Sequence, residues 1–247
     1  MRFCLYLLTC LSACGQFVNG TLVNGNFVGT NATAVTWILA EGFEGSNPDT
    51  LSNIGYDNTG WRHDDGYSPT PEPHFSTSGL GLSGTYCLRL NAQGDAPWHP
   101  LTAITEVWVY FKFRSSAWND AAANTIFALT PGWPDAKAHD HCGVWVNGSP
   151  PVLYVKEGGT ASTPSVGTMA LNTTYHCWLY FKNDGHASFG FSTDGVRPTT
   201  GNNFTSMTNG EETGSIEGLS PWVSIASVVF YYDDIRISAT QIGDNPP

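Results

Sequence analysis

The side chains in this sequence that could do chemistry are its carboxylates, its histidines and its tryptophans, and each reaction demands its own spacing. A retaining glycoside hydrolase needs two carboxyl groups about 5 Å apart, which on a strand means glutamates at alternating positions. No Glu-x-Asp-x-x-Glu string occurs. Glu106 opens an apolar run with no second carboxylate at the next positions on its face, and Glu211-Glu212 lies among Thr, Asn and Gly as a solvated pair. A polysaccharide lyase needs a Tyr or His base with cations to neutralise the sugar carboxylate, and Arg89, Lys112, Arg114, His176, Tyr110 and Tyr180 could satisfy that need from one sheet face. His139-Asp140-His141-Cys142 places two histidines on one side of a strand, a zinc-compatible spacing. Completing such a site would take His63, Asp64, Asp65 or His74, and a polar loop is the competing reading. Ser, Cys and His form no triad pattern, and there is no Gly-rich phosphate loop.

Aromatic side chains offer a different chemistry. The chain has nine Trp and ten Tyr, enough to supply both a core and a binding surface. Trp61, Trp98, Trp118 and Trp133 fall in loop-like strings beside Gly, Pro, His, Asn and Asp. Such rings can stack on the apolar face of a sugar while neighbouring amides and carboxylates hold its hydroxyls; alternatively, long loops fold back and use them as local core. Trp108, Tyr110, Lys112 and Arg114 alternate with Val109, Phe111 and Phe113, so they share one face of a strand. That face, with the four loop tryptophans, is the candidate carbohydrate-binding set.

The elements that must position these groups are strands. Short β-type runs recur between Gly, Pro, Asn and Asp clusters from Trp37 onward, and no window of a dozen residues has a helical period. The clearest are Tyr86–Asn91, Glu106–Arg114, Val144–Val146 with Val152–Lys156, Tyr175–Lys182 and Val228–Ile237. Asn183-Asp184-Gly185 marks a hairpin between the Tyr175 run and a return over Ala187–Ser192. The predicted architecture is all-β, a two-sheet antiparallel jelly-roll sandwich over 37–247, preceded by a spacer or first hairpin over 15–36.

Charged residues make up only 13% of the chain, and 21 acidic against 10 basic residues give a net charge of −11. With no basic run, affinity for a phosphate backbone has no source, which excludes nucleic acid as a partner. Arg2 followed by Phe3–Leu11 and the small residues Ser12 and Ala13 reads as an export signal over 1–14. Leu11-Ser12-Ala13-Cys14 also fits a lipobox, which would put a lipid anchor on Cys14. No apolar stretch reaches transmembrane length, so the expected location is secreted or cell-surface. Export favours oxidation, and of Cys87, Cys142 and Cys177 the pair Cys142–Cys177 is the expected bridge, with three reduced thiols as the alternative.

Glu41-Gly42-Phe43-Glu44-Gly45, Ser83–Leu90 and Tyr232–Ser238, in that order and at that separation, resemble the concanavalin A-like lectin/glucanase superfamily, in particular its laminin-G-like jelly rolls. The resemblance spans roughly residues 37–240. It implies that the first and last strands pair, bringing Glu44 to Asp233 and Asp234, where members often hold a structural calcium ion. Three converging carboxylates would repel without a cation, and calcium takes hard oxygen ligands; an inward Asp accepting backbone N–H bonds is the other possibility. Three functions follow from these readings. The first is an extracellular, lectin-like protein that binds a polysaccharide or glycoconjugate. The others are a polysaccharide lyase or hydrolase with an unfamiliar motif, and a structural surface or assembly protein.

Overall fold

The computed structural model describes residues 20–23, 26–29, 35–44, 61, 74–75, 80–91, 97–118, 124–131, 142–147, 151–157, 161–210, 214–221, 223 and 228–246. It falls into two units, 1–35 and 36–247. In the first, β1 (Gly20–Val23) and β2 (Asn26–Gly29) pair antiparallel, with Val23 opposite Asn26.

Among the described residues the second unit holds fifteen strands. These are β3 (Trp37–Glu41), β4 (His74–Phe75), β5 (Leu88–Leu90), β6 (His99–Ile104), β7 (Glu106–Ala117), β8 (Asn124–Thr130), β9 (Cys142–Asn147) and β10 (Val152–Glu157). They are followed by β11 (Ala161–Ser162), β12 (Val166–Thr168), β13 (Tyr175–Lys182), β14 (His186–Ser192), β15 (Phe204–Met207), β16 (Ile216–Pro221) and β17 (Val229–Ser238). One sheet runs β11-β10-β9-β8-β16-β6 with β12 beside β10, and the other runs β15-β14-β13-β7-β17-β5-β4 with β3 beside β17. Every ladder is antiparallel. The two sheets form a sandwich, and no helix occurs among the described residues.

Alternation decides which side chains fill it. Val107, Val109, Phe111 and Phe113 of β7 are buried, as are Cys177, Leu179 and Phe181 of β13. Each such side chain removed from water contributes about 1.5–3 kcal/mol. Phe111 stacks on Phe127 of the opposite sheet with centroids 4.5 Å apart, and Tyr232 of β17 donates its hydroxyl to the Ile126 carbonyl of β8. These two contacts lock sheet to sheet. The hairpin expected at Asn183-Asp184-Gly185 is present, with Lys182 opposite His186 and Gly185 at φ +87°. β9 and β10 pair as expected, and the first and last strands of the sandwich lie side by side, Glu41 opposite Ile235.

Candidate functional site

The outer face of the eight-stranded sheet collects the groups that the core rejects. β7 and β13 pair so that Trp108 lies opposite Tyr180, Tyr110 opposite Trp178 and Lys112 opposite His176. The Trp108 and Tyr180 rings lie 4.2 Å apart, and the Arg197 guanidinium sits 4.6 Å over Trp108. Tyr110 and His176 share a hydrogen bond of 2.7 Å, and His176 stacks beside Trp178 at 6.2 Å. Arg114 lies 4.6 Å over the Tyr231 ring.

A bulge in β17 supplies the charge balance. The register to β7 shifts between Asp233 and Arg236, and Asp234 takes φ +48°; an extra residue of this kind re-aims a side chain. The Asp234 carboxylate reaches Lys112 at 2.7 Å and Arg236 at 3.1 Å. Burial pushes its pKa up, but Lys112, Ser83 and Arg236 outweigh that and hold it below the usual carboxylate range.

The C-terminal segment crosses this face. Ile242, 1% exposed, packs with Tyr110 and Trp178, and Trp37 and Trp108 flank the cluster. Trp178 Nε1 donates to the Gly243 carbonyl at 3.1 Å, Arg197 N to Asp244 Oδ1 at 2.7 Å, and Asn245 N to the Gly195 carbonyl at 3.0 Å. The segment is therefore a strap. It leaves Tyr110 only 1% exposed, while Trp108 and Tyr180 stay half-buried. Burial pushes the Tyr110 hydroxyl pKa above its ordinary value and, with Lys112, lowers that of His176. A tyrosine shifted upward and covered is poorly placed to remove a proton from a sugar. Tyr180, also raised by burial and by its 3.1 Å hydrogen bond to Glu106, reaches about 12.

The loop tryptophans are placed differently from the sheet-face set. Trp61 is part of the core, between Phe43 at 5.9 Å and His99 at 5.3 Å. Trp98 is buried flat over Gly218, where an added Cβ would fall 2.1 Å from Nε1, and donates to Thr130 Oγ1 at 3.0 Å. Neither ring presents a free face, because the sandwich recruits them as packing. Trp118 packs on Phe113 and Phe230 and stays half-buried. Trp133 lies outside the described residues, as do Cys14, His63, Asp64, Asp65, His139, His141, Glu211 and Glu212. Sequence reasoning missed Trp37, Arg197 and the Ile242 strap as members of the aromatic face. Trp178 was missed as a face residue too, although it alternates with Cys177 and Leu179 as Trp108 does with Val109.

The carboxylates expected to hold calcium are engaged by the chain itself. Asp233 Oδ2 accepts from Leu82 N, Ser83 N and Ser83 Oγ at 2.9–3.0 Å, and Oδ1 accepts from Asp234 N at 2.8 Å. Glu44 Oε1 accepts from Thr85 N at 2.7 Å and Tyr86 N at 3.0 Å. Together they pin the 81–87 turn, and Lys112 and Arg236 do for Asp234 what a cation would. Among the described residues no three His, Cys, Asp or Glu gather to hold a metal. The Cys142–Cys177 bridge is also absent. Cys87, Cys142 and Cys177 are buried thiols, Cys142 and Cys177 sitting on strands of opposite sheets, and Cys87 Sγ donates to the Leu80 carbonyl at 3.1 Å. No helix among the described residues is long and apolar enough to cross a membrane.

No protein-family model and no curated protein matches the chain. Solved structures do. The globular domain of T. cruzi calreticulin is similar with a TM-score of 0.57 at 13% identity, over 83% of this chain and 89% of that one. The binding domain of botulinum neurotoxin serotype D is similar at 0.54 and 11%, and that of neurotoxin DC in complex with SialylT at 0.50 and 12%. Each toxin match covers 84% of this chain but only about half of the toxin domain (48% and 49%). At such identities the likeness is one of fold.

Proposed function

We propose that this chain is an exported, lectin-like protein that binds a polysaccharide or glycoconjugate on the outer face of its eight-stranded sheet. The observation that carries the reading is the half-buried pair Trp108 and Tyr180 on that face, their rings 4.2 Å apart beside the strap-covered cluster of Tyr110, Trp178 and Ile242. The half-buried Trp108–Tyr180 pair offers the aromatic surface left between Tyr180 and the Arg197 guanidinium, which lies 4.6 Å over the Trp108 ring and presents N–H donors to sugar oxygens. Lys112 and Arg114 extend the polar rim along β7. The fold likeness to a toxin binding domain solved in complex with SialylT supports the same reading.

The apolar N-terminal run supports export, with secretion or surface attachment through Cys14 as the destination. Screening the full chain on a glycan array tests the function. Binding to a defined glycan class, lost in Trp108→Ala and Tyr180→Ala variants that melt as cooperatively as the parent, is the expected result. Release of unsaturated uronates from a bound polysaccharide would instead identify a lyase.

A further inference from the structure

A second concave surface lies between the edge strands of the two sheets, sharing Phe204 with the Trp108–Tyr180–Arg197 cluster. β15 is the last strand of the eight-stranded sheet, and β12 lies at the edge of the other. Between them opens a groove of about 620 Å³, within the usual range for small-molecule sites. Its rim carries the exposed hydroxyls of Ser165, Thr168 and Ser206 and the amide of Asn202, with the half-buried Phe204 as apolar surface and Val166 closing the floor from the core. No lining residue is charged.

The walls are fixed. Thr205 Oγ1 donates to the Pro164 carbonyl at 2.9 Å, tying one edge to the other. Phe191 N donates to the Asn203 carbonyl at 3.1 Å and Phe204 N to the Gly201 carbonyl at 3.3 Å, which sets the turn that presents Asn202. Gly167, at φ +29°, sits so close that an added Cβ would meet the Phe191 ring at 2.8 Å and Asn203 Oδ1 at 2.9 Å. Such a groove is pre-formed, so little ordering opposes binding.

We infer that this groove is a second binding site, for a neutral sugar unit; the ligand class rests on the glycan-binding reading, the site on its own geometry. Hydroxyls and an amide can donate to and accept from sugar hydroxyls, while the half-buried Phe204 offers apolar surface to the C–H face of the ring. A uronate or sialate carboxylate would find no cation here. An added peptide strand would find edges of only three and four residues, with the β10–β12 register broken between Val152 and Leu153.

Two-dimensional amide NMR of the full chain tests this, with gluco-, manno-, xylo- and galacto-oligosaccharides, an oligogalacturonate and an extended peptide as probes. At least one neutral oligosaccharide should shift the Thr168, Asn202 and Ser206 amides in both the parent and Trp108→Ala. The double variant Asn202→Ala/Ser206→Ala, unchanged in melting, should weaken that binding roughly tenfold. The inference is overturned if no neutral oligosaccharide moves those amides at millimolar concentration, if the oligogalacturonate moves them equally, or if only the peptide does. Glycan binding that Trp108→Ala abolishes while the groove amides stay still would overturn this site and leave the sheet-face reading standing. Groove shifts alone, with no binding sensitive to Trp108, would do the reverse.

Discussion

The side chains of this protein do more structural work than their types suggest. Asp234 sits in a left-handed bulge position that Asn tolerates, so Asp234→Asn should remove the charge without straining the backbone. Losing the ion pairs that Asp234 makes to Lys112 and Arg236 should cost about 1.5–3 kcal/mol in urea unfolding. His176 sets a pH dependence. Its folded pKa lies below the ordinary value, chiefly through burial and Lys112, despite the upward pull of Asp194 and Asp234. The unfolded state therefore binds the extra proton first, and stability falls as pH drops through and below the ordinary histidine value of about 6.5. Melting should decline between about pH 8 and pH 5.5, and His176→Gln should flatten that decline. Chelation followed by calcium addition should leave melting unchanged, since the donors on Asp233 and the cations on Asp234 belong to the chain. A calcium-dependent rise would show that a metal can displace them. At this scale the sequence was only partly legible: inward Asp233 could be placed, but which donors meet it depends on the 81–87 turn, 150 residues away along the chain.

Strands were the most legible elements, because alternation is local and a sandwich leaves it undisturbed. β7, β13 and β17 fall where their periodicity puts them, and the Asn183-Asp184-Gly185 turn closes the expected hairpin. The strap was not legible. Gly243-Asp244-Asn245-Pro246-Pro247 reads from sequence as a tail that frays, yet Trp178 holds the Gly243 carbonyl and Ile242 before it fills a slot that only the finished sheet creates. Ile242→Ala should therefore cost about 2–5 kcal/mol and shift tryptophan emission to the red as Trp178 meets water. The loop tryptophans show the same dependence on context. Trp98 is buried because Gly218 leaves room for its ring, so Gly218→Ala should destabilise by roughly 1–3 kcal/mol, readable as a lower denaturation midpoint.

For the whole molecule, composition and turn spacing were enough for the two-sheet sandwich, since few charges, many short β-type runs and no helical period leave few other architectures. Function is a property of which face stays open, and that is decided by long-range pairing and by the strap rather than by any motif. The central claim is that the Trp108–Tyr180–Arg197 cluster binds sugar. Its most direct test is calorimetric titration of the full chain with the strongest glycan from an array, repeated on Trp108→Ala and Arg197→Ala with folding checked by melting. Affinity should fall roughly tenfold in Trp108→Ala and measurably in Arg197→Ala, at unchanged stoichiometry. Parent-like affinity in both folded variants would contradict it.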